Sequence, residues 1–289
     1  MNFLIYLNRR YRVIPSLVLA VLAIAWMTPT VGLFITSLRP IDDAMNKGWW
    51  TVFPDVWNQP WTLEPYIHVF KENNFGQSII STFAIAIPAT VLPILVAAYA
   101  SYGFTFFNFR GREFFFGTLI ALMVIPAQVA FIPILQFFAW FTEKTGIPLL
   151  GQYPSAWLVH IAFAMPLAVY LFRNYMMTLP TALIEAARID GASHYQIFWR
   201  LVIPMSVPAL ASFAIFQFLW IWNDYLIAFL FVGTDHPVLQ TTLFQMLGRF
   251  GDGWQYVAAG SFISMTVPLI VFFSLQRYFV RGLTAGSVK

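Results

Sequence analysis

The sequence contains no cysteine, and only 10% of its 289 residues are charged. Without thiols the chain can form no disulfide, no thiolate nucleophile and no zinc–thiolate site. A soluble domain carries about 25% charged residues, whereas 60% of this chain is hydrophobic. The composition therefore predicts an integral membrane protein with no large soluble domain.

Motifs for catalysis and nucleotide binding are missing as well. A phosphate-binding loop needs a lysine that follows glycine, and no lysine of this chain does so. No Gly-x-Ser-x-Gly nucleophile elbow occurs, and the histidines at 68, 160, 194 and 236 have no metal-ligand spacing. We therefore expect no enzymatic activity, no metal and no cofactor on this chain.

Long apolar runs are what the sequence does contain. Each approaches or exceeds the roughly 20 residues that cross the hydrocarbon core of a bilayer. They predict six transmembrane helices at about 14–38, 77–104, 114–138, 155–172, 206–232 and 256–276. We expect one all-α transmembrane domain over residues 1–289, in which neighbouring helices satisfy the carbonyls freed by prolines. The first run is too long for the core of a cleaved signal peptide.

The positive charges predict the orientation. With the N-terminus inside, the inner side receives Arg9, Arg10, Arg12, Arg110, Arg112, Arg173, Arg188, Arg200, Arg277, Arg281 and Lys289. The outer side receives only Arg39, Lys47, Lys71, Lys144 and Arg249. By the positive-inside rule, both termini and the polar segment 180–204 are therefore expected in the cytoplasm.

This polar segment still has a helical pattern although it lies between apolar runs. Leu183, Ile184 and Ala187 would form the apolar face of a short helix. Gly191 would close that helix, because glycine adopts the left-handed conformation without steric cost. The segment therefore begins as a helix that ends at a glycine.

A second helix is expected immediately afterwards. Ser193 and Gln196 have the Ser-x-x-Gln spacing of a capping box. Pro204 and Pro208 are expected to end this second helix before the next apolar run. The whole segment is thus predicted to be a rigid helix–glycine–helix elbow outside the bilayer.

The elbow contains Glu185-Ala186-Ala187, then Gly191, then Leu201-x-Ile203-Pro204. This pattern resembles the EAA motif of bacterial ATP-binding-cassette (ABC) importer permeases, which reads Glu-Ala-Ala, three residues, Gly, nine residues, Ile-x-Leu-Pro. The spacing is kept, and the exchange of Ile and Leu preserves apolar volume. The resemblance implies a coupling helix that docks in a cleft of a cytoplasmic ATPase, through Glu185, Ala186, Ala187, Asp190, Gly191 and Pro204. A generic interfacial amphipathic hairpin is the alternative.

The C-terminal residues 281–289 provide a second resemblance. Their sequence, Arg-Gly-Leu-Thr-Ala-Gly-Ser-Val-Lys, is similar to the tail of permeases of the carbohydrate-uptake, maltose-permease-like group. That resemblance implies a tail that reaches into the ATPase dimer interface. A frayed basic terminus is the alternative.

Polar and aromatic residues cluster in the fifth predicted span, at Gln217, Trp220, Asn223, Asp224 and Tyr225. An ionisable group inside a span is a candidate functional site. Aromatic faces beside amide and carboxylate oxygens also suit the C–H face and the hydroxyl groups of a sugar. These residues form our candidate substrate pathway. Alternatively, Asn223 and Asp224 cap a helix break or join helices.

The largest outer loop, residues 39–75, is rich in tryptophan. Tryptophan at a membrane–water boundary often anchors a protein at the headgroups. A docking surface for an external solute-binding protein is the other interpretation, and both can hold for different residues.

The spans and the two motifs together imply a permease subunit of a bacterial ABC importer for a sugar or oligosaccharide, in the cytoplasmic (inner) membrane. The resemblance implies four kinds of partner: a second homologous permease, two ATPase subunits that hold ATP and Mg, an extracytoplasmic solute-binding protein and the solute. No nucleic acid is expected. An ABC permease for a polyol, glycerol phosphate or amino acid is an alternative. A proton-coupled transporter that uses Asp224 and His160 is another.

Overall fold

The computed structural model describes residues 13–72, 74–249 and 253–284. All regular elements within these ranges are helical, which confirms the predicted all-α membrane protein. Two sets of residues used in the predictions lie outside these ranges. They are Arg9, Arg10 and Arg12, and residues 285–289 of the C-terminal motif.

The helices follow one another along the chain with mostly short connections. In order they are α1 (Val13–Ser37), α2 (Ile41–Asn46), α3 (Glu64–Glu72), α4 (Phe75–Phe106), α5 (Arg112–Ala121), α6 (Ala127–Thr145), α7 (Tyr153–Met176), α8 (Thr181–Ile189), α9 (His194–Ile197), α10 (Ile203–Trp222), α11 (Leu239–Arg249) and α12 (Trp254–Thr284). The 3₁₀ segments are Trp49–Asn58 and Leu122–Val124, and π-helical turns occupy Phe198–Val202 and Ala228–Val232.

Among the described residues, one compact unit comprises 13–72, 74–75, 243–249 and 253–264. Its polar turn after α1 is organised by Arg39, which is buried and whose Nη1 donates to the carbonyls of Lys47 (3.0 Å) and Gly48 (3.2 Å). Two tryptophans of its 3₁₀ segment differ in how they pack. The indole of Trp49 lies against Gly32, so close that a Cβ added to this glycine would be 2.8 Å from the ring. Trp57, in contrast, is 94% exposed.

The second compact unit comprises the described residues 76–242 and 265–284. Its core includes one cluster of buried side chains from α4, α7, the elbow and α10, among them Ala98, Phe172, Ile184, Ile197 and Phe213. Because Ile184 and Ile197 come from the two arms of the elbow, the elbow is part of this core.

Five helices are long and apolar enough to cross a membrane in the described part of the chain. They are Val13–Ser37, Phe75–Phe106, Tyr153–Met176, His194–Trp222 and Trp254–Gln276. The third predicted span, 114–138, instead falls on two helical segments, Arg112–Val124 and Ala127–Thr145, which are bent by 102° at the break between them. If this bent pair crosses as one broken span, the total is the predicted six.

Pro126 explains the position of this break. A proline disfavours the helical conformation of the residue before it, and Ile125 is accordingly extended, with φ −77° and ψ 120°. Pro126 itself precedes the first residue of α6. The apolar pattern therefore continues across the break although the helix does not.

Two prolines lie within α4 and do not end the helix. Side chains of other helices donate hydrogen bonds to the carbonyls that these prolines leave free. Pro88 and Pro93 leave the carbonyls of Ala84 and Ala89, four residues earlier, without their helical donors. Trp157 Nε1 of α7 donates to the Ala84 carbonyl at 2.9 Å. Gln217 Nε2 of α10 donates to the Ala89 carbonyl at 3.4 Å. The expectation that neighbouring helices satisfy such carbonyls is confirmed at these two positions.

Candidate functional sites: an exposed elbow and a break in span five

The first arm of the elbow ends as its sequence predicts. Gly191 has a φ of +82°. The Ala192 N–H donates to the Ala187 carbonyl (2.9 Å) and the Gly191 N–H donates to the Arg188 carbonyl (3.0 Å). These are the two bonds of a Schellman motif, which satisfies the last carbonyls of a helix and turns the chain.

The second arm begins with the predicted capping box. The Ser193 N–H donates to Gln196 Oε1 (2.8 Å), and the Gln196 N–H donates to Ser193 Oγ (3.3 Å). Two N–H groups at the start of α9 are thereby satisfied. The short connection and both end motifs fix the angle between the arms.

The prediction that Pro204 and Pro208 end this arm is wrong, since one continuous helix runs over His194–Trp222. The π-helical turn explains the difference, because there the Ile203 N–H donates to the Phe198 carbonyl, five residues back. This wider turn absorbs the irregularity that a nearby proline imposes. Pro204 directly follows this π-helical turn, as the second residue of α10. The elbow thus continues directly into the fifth predicted span.

Contacts with α4 hold the second arm in place. Tyr102 Oη lies 2.9 Å from His194 Nδ1. The Tyr99 ring stacks on the Phe198 ring with centroids 4.1 Å apart, and the Trp199 indole N–H donates to Tyr99 Oη at 2.9 Å. The elbow is therefore attached to the bundle by both core packing and polar contacts.

The outer side of the elbow is exposed. Glu185, Ala186, Asp190 and Gly191 are exposed and Ala187 is half-buried. On the predicted apolar face of this arm, Ile184 is buried, Ala187 is half-buried and Leu183 is exposed. Sequence reasoning missed Ile189, which is 86% exposed and lies four residues after Glu185. The centre of a protein interface is more apolar than the rest of the surface, so the exposed Ile189 is a candidate contact residue.

The fifth predicted span, 206–232, is interrupted after Trp222, where α10 ends. Asp224 Oδ2 accepts hydrogen bonds from the N–H groups of Ile227 (2.9 Å) and Ala228 (3.2 Å). A side-chain oxygen that accepts from backbone N–H groups at the start of a helical segment acts as a cap. Asp224 thus caps the helical turn that follows the break.

Three other residues of the candidate pathway also contact neighbouring groups of the chain. Gln217 is buried against the Ala89 carbonyl, and Asn223 Nδ2 donates to the Leu219 carbonyl at 2.8 Å. The Tyr225 ring stacks on Phe229 with centroids 5.4 Å apart. Trp220 is 70% exposed, and Asn223, three residues later, is exposed too. Both side chains are therefore accessible from outside the chain.

His160 comes close to Asp224 from α7. Its Nε2 lies 3.9 Å from Asp224 Oδ2, and the histidine side chain is 4% exposed. This distance exceeds that of a direct hydrogen bond. In the described residues no group of three or more His, Cys, Asp or Glu side chains is arranged to hold a metal ion.

These features define a multi-span α-helical membrane protein with an exposed, rigidly capped elbow. The chain belongs to the family of binding-protein-dependent transport system inner membrane components, whose model matches residues 89–285. This range includes the elbow and all the candidate residues of span five. The protein is accordingly a membrane permease.

Two relatives are similar over most of this chain. It is 46% identical over 279 residues to the osmoprotective compounds uptake permease protein GgtD of Synechocystis, covering 94% of this chain and 91% of GgtD. It is also 46% identical over 230 residues to the alpha-glucoside transport system permease protein AglG of Rhizobium meliloti, covering 79% of this chain and 60% of AglG.

The fold is also that of a solved transporter. A chain in the crystal structure of a bacterial ABC transporter that imports the acidic polysaccharide alginate superposes with a TM-score of 0.74 at 22% identity. The alignment covers 94% of this chain and 97% of that chain. This similarity confirms the permease fold.

Proposed function

We propose that this chain is the membrane-spanning subunit of an ABC importer that carries a sugar or oligosaccharide. The observation that carries the proposal is the 46% identity, over most of this chain, to an alpha-glucoside permease. The binding-protein-dependent family supports it, as does the exposed elbow with its complete EAA spacing.

The proposed assembly contains a second homologous permease, two ATPase subunits and an extracytoplasmic solute-binding protein. ATP and Mg would bind to the ATPase subunits only. Pairing with a second permease is also favoured by physics, because polar groups that face hydrocarbon at membrane depth need a partner or a water-filled pathway.

In this assembly the elbow and both termini face the cytoplasm, and the chain lies in the inner membrane. Glu185, Asp190 and the exposed Ile189 would contact the ATPase, while the Schellman motif at Gly191 holds the two arms at a fixed angle. Movement of the ATPase would then pass to α10, because α9, the π-helical turn and α10 form one continuous helix.

Within the fifth span we assign different roles to the predicted residues. Trp220 and Asn223 are the side chains that offer a solute an aromatic face and an amide. Gln217 and Asp224 hold the helix break and the neighbouring helix in place through the backbone contacts described above. The solute pathway would therefore pass the Trp220–Asn223 face.

Uptake measurements in a deletion strain test the proposal. We expect radiolabelled α-glucoside to enter cells that express this chain with its genomic neighbours, and vanadate to inhibit entry. Uptake that is insensitive to vanadate and collapses with the proton gradient would favour a secondary transporter instead.

A second candidate solute class is an osmoprotective compound. The observation that favours it is the 46% identity to GgtD, which extends over 94% of this chain. The same strain tests it, because this alternative predicts that salt stress increases uptake and that an osmoprotectant competes with the α-glucoside.

A further inference from the structure

A surface cavity of about 540 Å³ lies where α4 gives way to α5, and residues 108–114 line it. Its backbone reverses direction at Gly111, which has a φ of +84°. Neither the elbow nor the span-five break includes these residues. The function proposed above assigns no role to this cavity.

The charges around the cavity are unbalanced. Arg112 Nε donates to Glu113 Oε1 at 3.0 Å. Arg173 Nη2 of α7 donates to both oxygens of Glu113, at 3.0 and 3.2 Å. Arg110 is exposed and forms no hydrogen bond or ion pair within the described residues. Three arginines minus one glutamate leave a net charge of +2 on this cluster.

Exposed phenylalanines flank these arginines. Phe114 is 72% exposed, and Phe109 and Phe115 are exposed as well. The cavity directly follows the apolar helix α4, which ends at Phe106, so it is positioned at a membrane–water boundary. At that depth the phenyl rings can reach the acyl chains while the guanidinium groups stay among the headgroups.

We propose that the cavity at residues 108–114 binds the phosphodiester headgroup of an anionic phospholipid of the cytoplasmic leaflet. Arg110 would supply the main charge-assisted hydrogen bonds to the phosphate. Basic pockets at the cytoplasmic ends of membrane helices attract anionic lipid headgroups in this way. The choice of leaflet depends on the cytoplasmic orientation proposed above.

The site adjoins the elbow. The ring of Phe107, directly before the cavity, has its centroid 4.5 Å from that of His194 at the start of α9. Arg112 Nη1 donates to the Phe107 carbonyl at 3.4 Å. A headgroup bound at the cavity would therefore lie beside the loop that packs against the start of the second arm of the elbow.

The test measures lipid binding to the full-length chain in detergent micelles, with fluorescent phosphatidylglycerol and, as reference, fluorescent phosphatidylcholine. Arg110→Gln removes the unpaired charge without breaking a described contact. The matched control is Arg200→Gln, which removes an exposed arginine outside the cavity. Phe114→Ser tests the acyl-chain contact, and inorganic phosphate is added as a competitor to detect a site for the free anion.

We expect the wild-type chain to prefer phosphatidylglycerol, and Arg110→Gln to weaken that binding about fivefold. Arg200→Gln should bind as the wild type does, and Phe114→Ser should bind more weakly. Equal binding of the two lipids, an unaltered Arg110→Gln variant, or full displacement by inorganic phosphate would overturn the proposal. The assay needs no transport, so its failure is distinct from a failure of the proposed function.

Discussion

The elbow and the break in span five both interrupt a helix, and both contain carboxylates. They differ in what the carboxylates contact. Glu185 and Asp190 of the elbow are exposed, and the elbow is held by its Gly191 stop, its capping box and its apolar core. At the break, Asp224 bonds to backbone N–H groups of the helix that follows it.

This difference separates two uses of polar residues in a membrane protein. Polar groups that the chain leaves exposed on a rigid support are available to another molecule. Polar groups that satisfy the chain's own backbone stabilise an irregular helix, because an unpaired backbone group at membrane depth is costly. Position within a span therefore does not by itself make Asp224 a solute ligand.

The largest effect is expected for Gly191→Val. A φ of +82° strains any residue with a Cβ, by about 1–2 kcal/mol, and no neighbouring atom lies within 4 Å of an added Cβ to cause a clash. We expect ATP hydrolysis by the reconstituted complex to continue while solute uptake falls at least about tenfold. Both rates are measured in the same proteoliposomes.

Gly146→Val is the matched control. Gly146 follows α6 with a φ of +73°, and its Cβ position is equally open. The Gly146→Val substitution should lower the stability of the protein to a similar degree, and ATP hydrolysis should remain coupled to solute uptake. Full coupling in Gly191→Val, or the same loss in both variants, would refute the special role of the elbow.

Trp220→Ala is expected to have the next largest effect. If the exposed indole stacks on a sugar, its removal raises the KM for uptake by about fivefold to tenfold, with little change in thermal stability. Trp140→Ala, at a half-exposed tryptophan of α6, is the control. An unchanged KM would remove Trp220 from the solute pathway.

Asp224→Ala is expected to act on stability first. The loss of a cap costs about 1 kcal/mol, which thermal unfolding in detergent can detect. Asp224→Asn keeps a side-chain oxygen that can accept the same N–H bonds, so it should retain stability and uptake. If Asp224→Asn instead abolishes uptake with normal folding, the charge of Asp224 acts on the solute or on His160.

Trp157→Phe should give the smallest effect. It removes the hydrogen bond to the Ala84 carbonyl, and such bonds between membrane helices contribute about 0.6 kcal/mol on average. We expect a slight fall in the unfolding temperature and normal uptake. Trp140 does not bond to the Ala84 carbonyl, so the Trp140→Phe variant is the control for the change in ring size. Equal unfolding temperatures would show that water or a local shift satisfies the Ala84 carbonyl.

The local features of the elbow could be predicted because they depend on residues close in sequence. Gly191 meets the need for a left-handed residue, and Ser193 with Gln196 forms a reciprocal pair three residues apart. The end of the second arm was predicted wrongly, because proline rules assume α-helical bonding and a π-helical turn precedes Pro204.

Features that depend on which helices are neighbours could not be predicted. The expectation that freed carbonyls find donors did not identify Trp157, which lies 73 residues from Ala84. Likewise, the sequence showed that Gln217 is polar but not that it faces the Ala89 carbonyl, 128 residues away. The composition pointed to Gln217 and Asp224 as candidate solute contacts, and it could not show that both side chains bond to backbone groups of the chain itself.

The central claim is that the exposed side of the elbow contacts an ATPase, and site-specific cross-linking tests it most directly. The chain has no native cysteine, so Ile189→Cys can be labelled with benzophenone maleimide without other changes. The control is Ile147→Cys, an exposed position after α6 on the predicted outer side. We predict that light links the ATPase to position 189 and not to position 147. No cross-link at 189 in an intact, active complex, or equal cross-linking at both positions, would contradict the account.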